Sequence, residues 1–179
     1  MNYQDILDFW FSSDNEPNWF AKSDEFDQLI EKKFKLVHSQ AAASELWSWR
    51  QNADGRLAEI IILDQFSRNL FRENPRAFAQ DGLALALAQE AISLQLDQQL
   101  SPKQRCFMYL PFMHSESKLI HEFALKLFQR LGNETNLAFE KKHKVIIDHF
   151  GRYPHRNAVL GRVSTAEEIE FLKQPNSSF

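Results

Sequence analysis

Three stretches of this chain set charged and imidazole side chains into otherwise apolar surroundings. In LDQFSRNLFR, Asp64, Arg68 and Arg72 recur every fourth residue. On a continuing helix they share one face, with Asp ahead of Arg in the favourable order. Buried charges must be paired, so the stripe reads either as internal ion pairs that fix helix register or as an arginine pair for an anion. Guanidinium groups match carboxylate and phosphate geometry. The second stretch, YLPFMHSES, carries His114, Ser115 and Glu116. Ser115 fits a helix N-cap, with Lys118 where a capping box would have Glu. His114 would then precede a helix N-terminus, where anions bind. A His beside a Glu can do acid–base work, or it can be a buried, hydrogen-bonded helix-start residue. The third, HFGRYPHRNAVLGR, gathers Arg152, His155, Arg156 and Arg162 with Asn157 on a turn set by Gly151 and Pro154. Such a turn can hold an anion, or its arginines can cap the orphan carbonyls of neighbouring helices.

The remaining histidines raise the question of metal. His114, Glu116 and His121 are close in sequence, and His143, His149 and His155 follow, but no spacing matches a common zinc signature and cysteine support is missing. His143 falls on the face of Ile146, Ile147 and Phe150 and reads as a core histidine. A Ser115/His114 nucleophile pair fails because adjacent residues rarely face each other as a triad requires. Glycine-rich phosphate loops, the nucleophile elbow, HExxH and paired CxxC are all missing. P-loop NTPases, Rossmann enzymes and α/β hydrolases are thereby disfavoured, and neither metal nor cofactor is expected.

Composition narrows the class further. The chain has 179 residues, 44% hydrophobic and 25% charged, with 16 Phe, 4 Trp and 3 Tyr. That is enough to bury a large core without staples. A net charge of -3 argues against a general nucleic-acid binder. The single cysteine, Cys106, forms no internal disulfide and suits a reducing compartment. MNYQDILDFWF has acidic residues where a secretory signal needs positive ones, and IIIL and LALALA fall short of the about 20 residues that span a bilayer. A cytoplasmic protein without membrane contact is expected.

The elements that must position these clusters are helices. The pattern predicts helices over about 3–11, 24–38 (capped by Ser23 or Asp24), 41–49, 56–70, 83–96 (capped by Asp81) and 116–131. One begins at Ser101–Pro102 and ends or kinks before Pro111. Another opens at Thr135 and runs to Phe150, and a last one is capped by Ser164 or Thr165. NADG reads as a turn, and Pro75 opens a short turn of helix. The helices at 83–96 and 116–131 recur at about the 34-residue period of tetratricopeptide (TPR) repeats. We therefore expect one all-α domain over residues 1–179, a compact antiparallel TPR-like array of eight or nine helices. Phe9, Trp10 and Phe11 must dock internally or form a homodimer contact, so monomer and homodimer both fit.

The segments ILDFWF, LDQFSRNLFR, RAFAQD, YLPFMHSE, FGRYPHRN and LGR, in this order, resemble a largely bacterial family catalogued as domain of unknown function 924. The resemblance runs from about Ile6 to Phe179. It implies a TPR-like all-α superhelix and no particular activity, so no catalytic residue carries over. What carries over is the motif set: Asp64, Gln65, Arg68, Asn69 and Arg72; His114, Ser115 and Glu116; Gly151, Arg152, Pro154, His155, Arg156 and Asn157. The chain departs from the family after HSE, where Ser117 and His121 replace an acidic or amide residue and a Gln. Ligand preference would differ if those positions touch a ligand.

Three functional readings follow. In the first, the clusters converge on a site for a small anionic molecule or acidic peptide. Arg68, Arg72, Arg152 and Arg156 hold the anion while His114, Glu116, Asp64, His155 and Asn157 orient it. In the second, a hydrolase or transferase uses His114 or His155 as acid/base with Glu116 or Asp64. In the third, the clusters are purely structural ion pairs and caps.

Overall fold

Side-chain caps set where most helices of this chain begin. A computed structural model describes residues 1–175, 177 and 178; Asn176 and Phe179, the latter closing the stretch of the resemblance, lie outside the described residues. The α-helices are α1 (Tyr3–Trp10), α2 (Asp24–Ala42), α3 (Ala53–Ile61), α4 (Ser67–Leu70), α5 (Asp81–Ser93), α6 (Pro102–Met113), α7 (Lys118–Leu131), α8 (Glu134–Phe150) and α9 (Ala166–Leu172). Among the described residues there is no strand, so the fold is all-α as the periodicity predicts. No helix among them is long and apolar enough to cross a membrane. The chain divides into two compact units, Met1–Arg72 with Arg76–Pro111, and Glu73–Pro75 with Phe112 onward.

Unit 1 is organised around α3. Leu57, Ala58, Ile60, Ile61, Ile62, Leu63 and Phe66 have no exposed surface. The helix passes through a π-helical turn (Ile62–Phe66) into α4. Such turns insert one residue into the helical ladder, here at the Asp64–Gln65 pair. α1 opens with a capping box in which Asn2 and Asp5 bond reciprocally, and it buries Ile6, Leu7 and Trp10. Its aromatics dock internally. Phe9 packs on Phe26, Phe34 and Phe66; Trp10 on Trp19, Phe66 and Phe107; Phe11 on Trp19 and Phe107. Aromatic pairs add stabilisation beyond their buried area.

Unit 2 is led by the α7–α8 hairpin. Gly132 closes α7 in the left-handed conformation (φ 75°) and Asn133 caps α8 one residue later. The helices run antiparallel, since Lys118 Nζ at the start of α7 donates to the Asp148 carbonyl near the end of α8 at 2.7 Å. This helix–turn–helix element is consistent with a TPR-like array. Gly151 (φ 69°) ends α8 and sends the chain into the 152–165 loop. Thr165 caps α9 with a full capping box to Glu168.

Several predicted boundaries are corrected. NADG is not a turn: Asn52 Oδ1 accepts from the Gly55 amide and caps α3, so a turn-forming sequence starts a helix. The helix expected over 41–49 is absent. α2 runs to Ala42, Ser44 takes a left-handed φ of 59°, and a 3₁₀ turn follows at Trp47–Gln51. Asp81 lies inside α5, whose N-cap is Gln80. α6 continues through Pro111, because proline in the last turn forfeits one backbone bond while residues 106–113 are all buried. Ser117, not Ser115, caps α7, and its Oγ accepts from the Ile120 amide. Asn133 caps α8 in place of an opening at Thr135.

The two helical glycines give a stability test. A Cβ on Gly55 would lie 2.0 Å from the Trp49 carbonyl oxygen, whereas one on Gly82 would meet nothing within 4 Å. We expect Gly55→Ala to cost about 1–3 kcal/mol through overpacking and Gly82→Ala to add about 0.4–1 kcal/mol. Thermal denaturation resolves both, at about 2–4 °C per kcal/mol.

Candidate functional site

In unit 1 the predicted stripe forms, with partners the spacing did not reveal. Asp64 is 1% exposed. Arg68 Nη1 donates to the Asp64 carbonyl at 2.6 Å and lies 3.3 Å from its carboxylate, and Gln65 Nε2 donates to Asp64 Oδ2. Arg68 then forks onto Asp81 at 3.0 and 3.1 Å. Arg72 is not on the shared face, because the helix ends at Leu70 and Phe71 turns away (φ -129°, ψ 36°). Instead Arg72 forks onto Asp27 of α2 at 2.6 and 2.8 Å, and Asn69 donates to the same carboxylate. Nearby, Ser67 Oγ gives its hydrogen to the Leu63 carbonyl, so His38 Nε2–H donates to that oxygen at 2.8 Å. Ser67 is therefore not a base-activated nucleophile. Burial first, and Arg76 second, lower the His38 pKa to about 4.

In unit 2, Glu116 and the 152–168 stretch form one lattice. Arg162 forks onto Glu116 at 2.6 and 2.9 Å, and the Tyr153 amide donates to the same carboxylate at 2.8 Å. Burial alone would raise the Glu116 pKa, but Arg162, the Tyr153 amide and the field of Arg156 together lower it. Arg152 forks onto Glu168 at 2.6 and 2.8 Å and donates to the Val163 carbonyl. Asn157, 1% exposed, donates to Ser164 Oγ and Glu168 and accepts from Arg162 Nε, which joins the two ion pairs. Arg152 first, with the Thr165 amide and Asn157, holds Glu168 down at about 2 against the effect of burial.

Beside this lattice, imidazoles converge on Tyr153, which has no exposed surface. The rings of His155, His143 and His121 lie 5.5, 5.7 and 6.3 Å from it, and the Arg156 guanidinium stacks over its face at 4.6 Å. His143 Nδ1–H donates to the Phe139 carbonyl at 2.8 Å. Burial chiefly, with the fields of His114, His121 and His155, lowers the His143 pKa to about 3. His121 contacts Glu140 and the Ser115 carbonyl, each at 2.8 Å. Among the described residues no three or more His, Cys, Asp or Glu side chains are arranged to hold a metal ion.

The structure thus brings His114, Glu116, Arg152, His155, Arg156 and Asn157 into unit 2, and Asp64, Arg68 and Arg72 into unit 1. Sequence reasoning missed Asp27, Asp81, Glu140, Glu168 and the hub Tyr153. Tyr153 carried one signal, its place between Arg152 and Pro154 in the basic turn. The distant carboxylates carried none.

A family described as "Bacterial protein of unknown function (DUF924)" matches residues 6–176. The fold is similar to the solved structure of a protein of unknown function from Agrobacterium tumefaciens, with a TM-score of 0.92, 39% identity and 97% of each chain covered. No curated protein matches.

The pKa shifts fix a pH dependence. Folding holds His38 and His143 neutral while their unfolded counterparts protonate from 6.5 downward, so their contribution is present above pH 6.5. It is lost as pH falls toward about 4 and about 3 respectively. Glu168 adds a second limb, present above 4.5 and lost as pH falls toward about 2. His143→Gln should flatten the first limb of a Tm–pH profile and Glu168→Gln the second. Arg152→Met should melt well below wild type at pH 7, with the gap narrowing as pH falls toward about 2 and Glu168 takes up its proton in the wild type as well.

Proposed function

We propose that this chain, which belongs to the DUF924 family of bacterial proteins of unknown function, is a binding protein for a small anionic ligand held in unit 2 by His114, His155 and Arg156. The observation that carries the reading is the gathering of like-signed groups around Tyr153. His114, His121 and His155 all act electrostatically on His143, and Arg156, 7% exposed, stacks on the shared ring. Each proton placed there opposes the next. A carboxylate or phosphate among them relieves that opposition and gains charge-assisted hydrogen bonds in a poorly solvated site. Of the neighbouring carboxylates, Glu116 is bound by Arg162 and also lies in the field of Arg156, and Glu140 meets His121.

A structural reading suits the other motif residues. Arg68, Arg72 and Arg152 each fork onto a carboxylate, and Asn157 bridges two ion pairs. A reducing, cytoplasmic setting is proposed with both readings on the strength of the single cysteine, and that cysteine is no nucleophile, because it is buried and burial pushes its thiol up to about 12.

Inorganic phosphate and citrate are the probes. Binding should take up protons, so either anion should raise Tm more at pH 6 than at pH 8, with matched sodium chloride as control. At a concentration about 100 times the dissociation constant the gain is about 2.7 kcal/mol, several degrees for a chain of this size. The double variant His114→Gln/His155→Gln should lose the response and Arg72→Met should keep it. Equal responses in wild type and the double variant overturn the assignment.

A further inference from the structure

The two backbone carbonyls that flank His114 are each pinned by a buried side chain. Tyr153 Oη–H donates to the Met113 carbonyl at 2.6 Å, and His121 Nε2 lies 2.8 Å from the Ser115 carbonyl. The other nitrogen of His121 meets Glu140 Oε1 at 2.8 Å. Tyr153, His121 and Glu140 all have no exposed surface. They come from the loop after α8, from α7 and from α8. Within the turn itself, the Ser115 amide donates to the Phe112 carbonyl at 3.3 Å and the Ser117 amide to Ser115 Oγ at 3.2 Å.

Proton accounting defines the clamp. A carbonyl only accepts, so Nε2 of His121 carries a hydrogen for Ser115. Nδ1 then either carries a second hydrogen toward a carboxylate or accepts one from a protonated Glu140. Glu140 Oε2 is buried with no hydrogen-bond partner. On a carboxylate that oxygen would be an unsolvated charge; on a neutral acid it is only a carbonyl. Burial, the largest influence on Glu140, raises its pKa in spite of His121. The unpartnered Oε2 is the geometric ground for assigning the shared proton to Glu140 Oε1, from which it is donated to Nδ1.

We propose that Glu140, His121 and Tyr153 are positioning residues, an acid–imidazole–phenol clamp that fixes the backbone on both sides of His114 and aims its ring at the anion site. The purpose of the clamp rests on the anion-binding reading; its geometry does not. Two different side chains hold two carbonyls on either side of one residue, so loosening either one changes how the backbone at His114 is set.

The test reads the His114 ring directly by ¹H–¹³C NMR, titrated with pH in the absence of any anion, with exposed His149 as the internal reference. Tyr153→Phe, which removes a single oxygen, and Glu140→Ala should both shift the His114 resonance and its titration midpoint and leave His149 in place. Glu140→Gln should restore the wild-type signal, because its amide N–H donates to Nδ1 as the acid does. A wild-type His114 signal in folded Tyr153→Phe, or Glu140→Gln behaving like Glu140→Ala, overturns the clamp. Should Glu140→Ala fail to fold, Tyr153→Phe decides. A wild-type protein indifferent to phosphate and citrate overturns the anion reading alone, since the clamp is measured without them.

Discussion

A carboxylate withdrawn from water has to be met by donors, and much of this fold answers that requirement. Glu168 is 2% exposed and takes a bidentate guanidinium, a backbone amide and an asparagine amide. Those four hydrogen bonds come from Arg152, Thr165 and Asn157, so satisfying one oxygen pair also fixes the loop between α8 and α9. Glu116 repeats the arrangement with Arg162 and the Tyr153 amide. In unit 1, Glu59 with no exposed surface is met by a forked Arg50 at 2.7 Å twice over. Such pairs are weak sources of net stability, because desolvation offsets most of the attraction. Their effect is on geometry: each permits only one arrangement of the elements that carry it.

That distinction explains what the sequence could reveal. Caps and breakers act within a few residues, so Ser23, Thr165 and Gly132 mark real helix ends. The same locality misleads at NADG, where the residues that favour a turn also serve as an N-cap. There Trp49 crowds Gly55 so closely that only glycine fits. Charge pairing has no such locality. Arg72 finds Asp27 across 45 residues, and Arg162 finds Glu116 across 46. Spacing showed that charges in LDQFSRNLFR and FGRYPHRN needed partners but not which: Asp27 and Glu168 lie on helices whose own patterns are unremarkable, and nothing about Glu116 in YLPFMHSES points to Arg162. The π-helical turn at Ile62–Phe66 was equally hidden, and together with the end of α4 at Leu70 it removes Arg72 from the predicted stripe.

The histidines follow a different logic from the arginines. The guanidinium groups stay charged at any working pH, so the fold can hold them by permanent ion pairs. An imidazole in the interior is cheapest when neutral, with one nitrogen donating and the other accepting. His143 adopts that state by donating to Phe139, and His38 by donating to Ser67. His121 is held differently, with both ring nitrogens engaged, one by Glu140 and one by the Ser115 carbonyl. The interior of unit 2 can therefore hold several imidazoles beside Arg156 without accumulating positive charge.

The same neutrality makes the cluster responsive. In the anion-binding reading we propose, a negative charge arriving in the cluster would favour protonation of His143, which burial otherwise opposes. Fixed arginine–carboxylate pairs cannot behave in this way, because both charges are already compensated. Within unit 2, Arg152–Glu168 and Arg162–Glu116 therefore serve as the rigid frame, and the proposed function falls to the imidazoles and Arg156 beside it. The frame ends at Tyr153: its amide belongs to the Glu116 lattice, and its hydroxyl and ring belong to the histidines. That one residue therefore touches both the ion pairs formed many residues away and the imidazoles carried by α7 and α8.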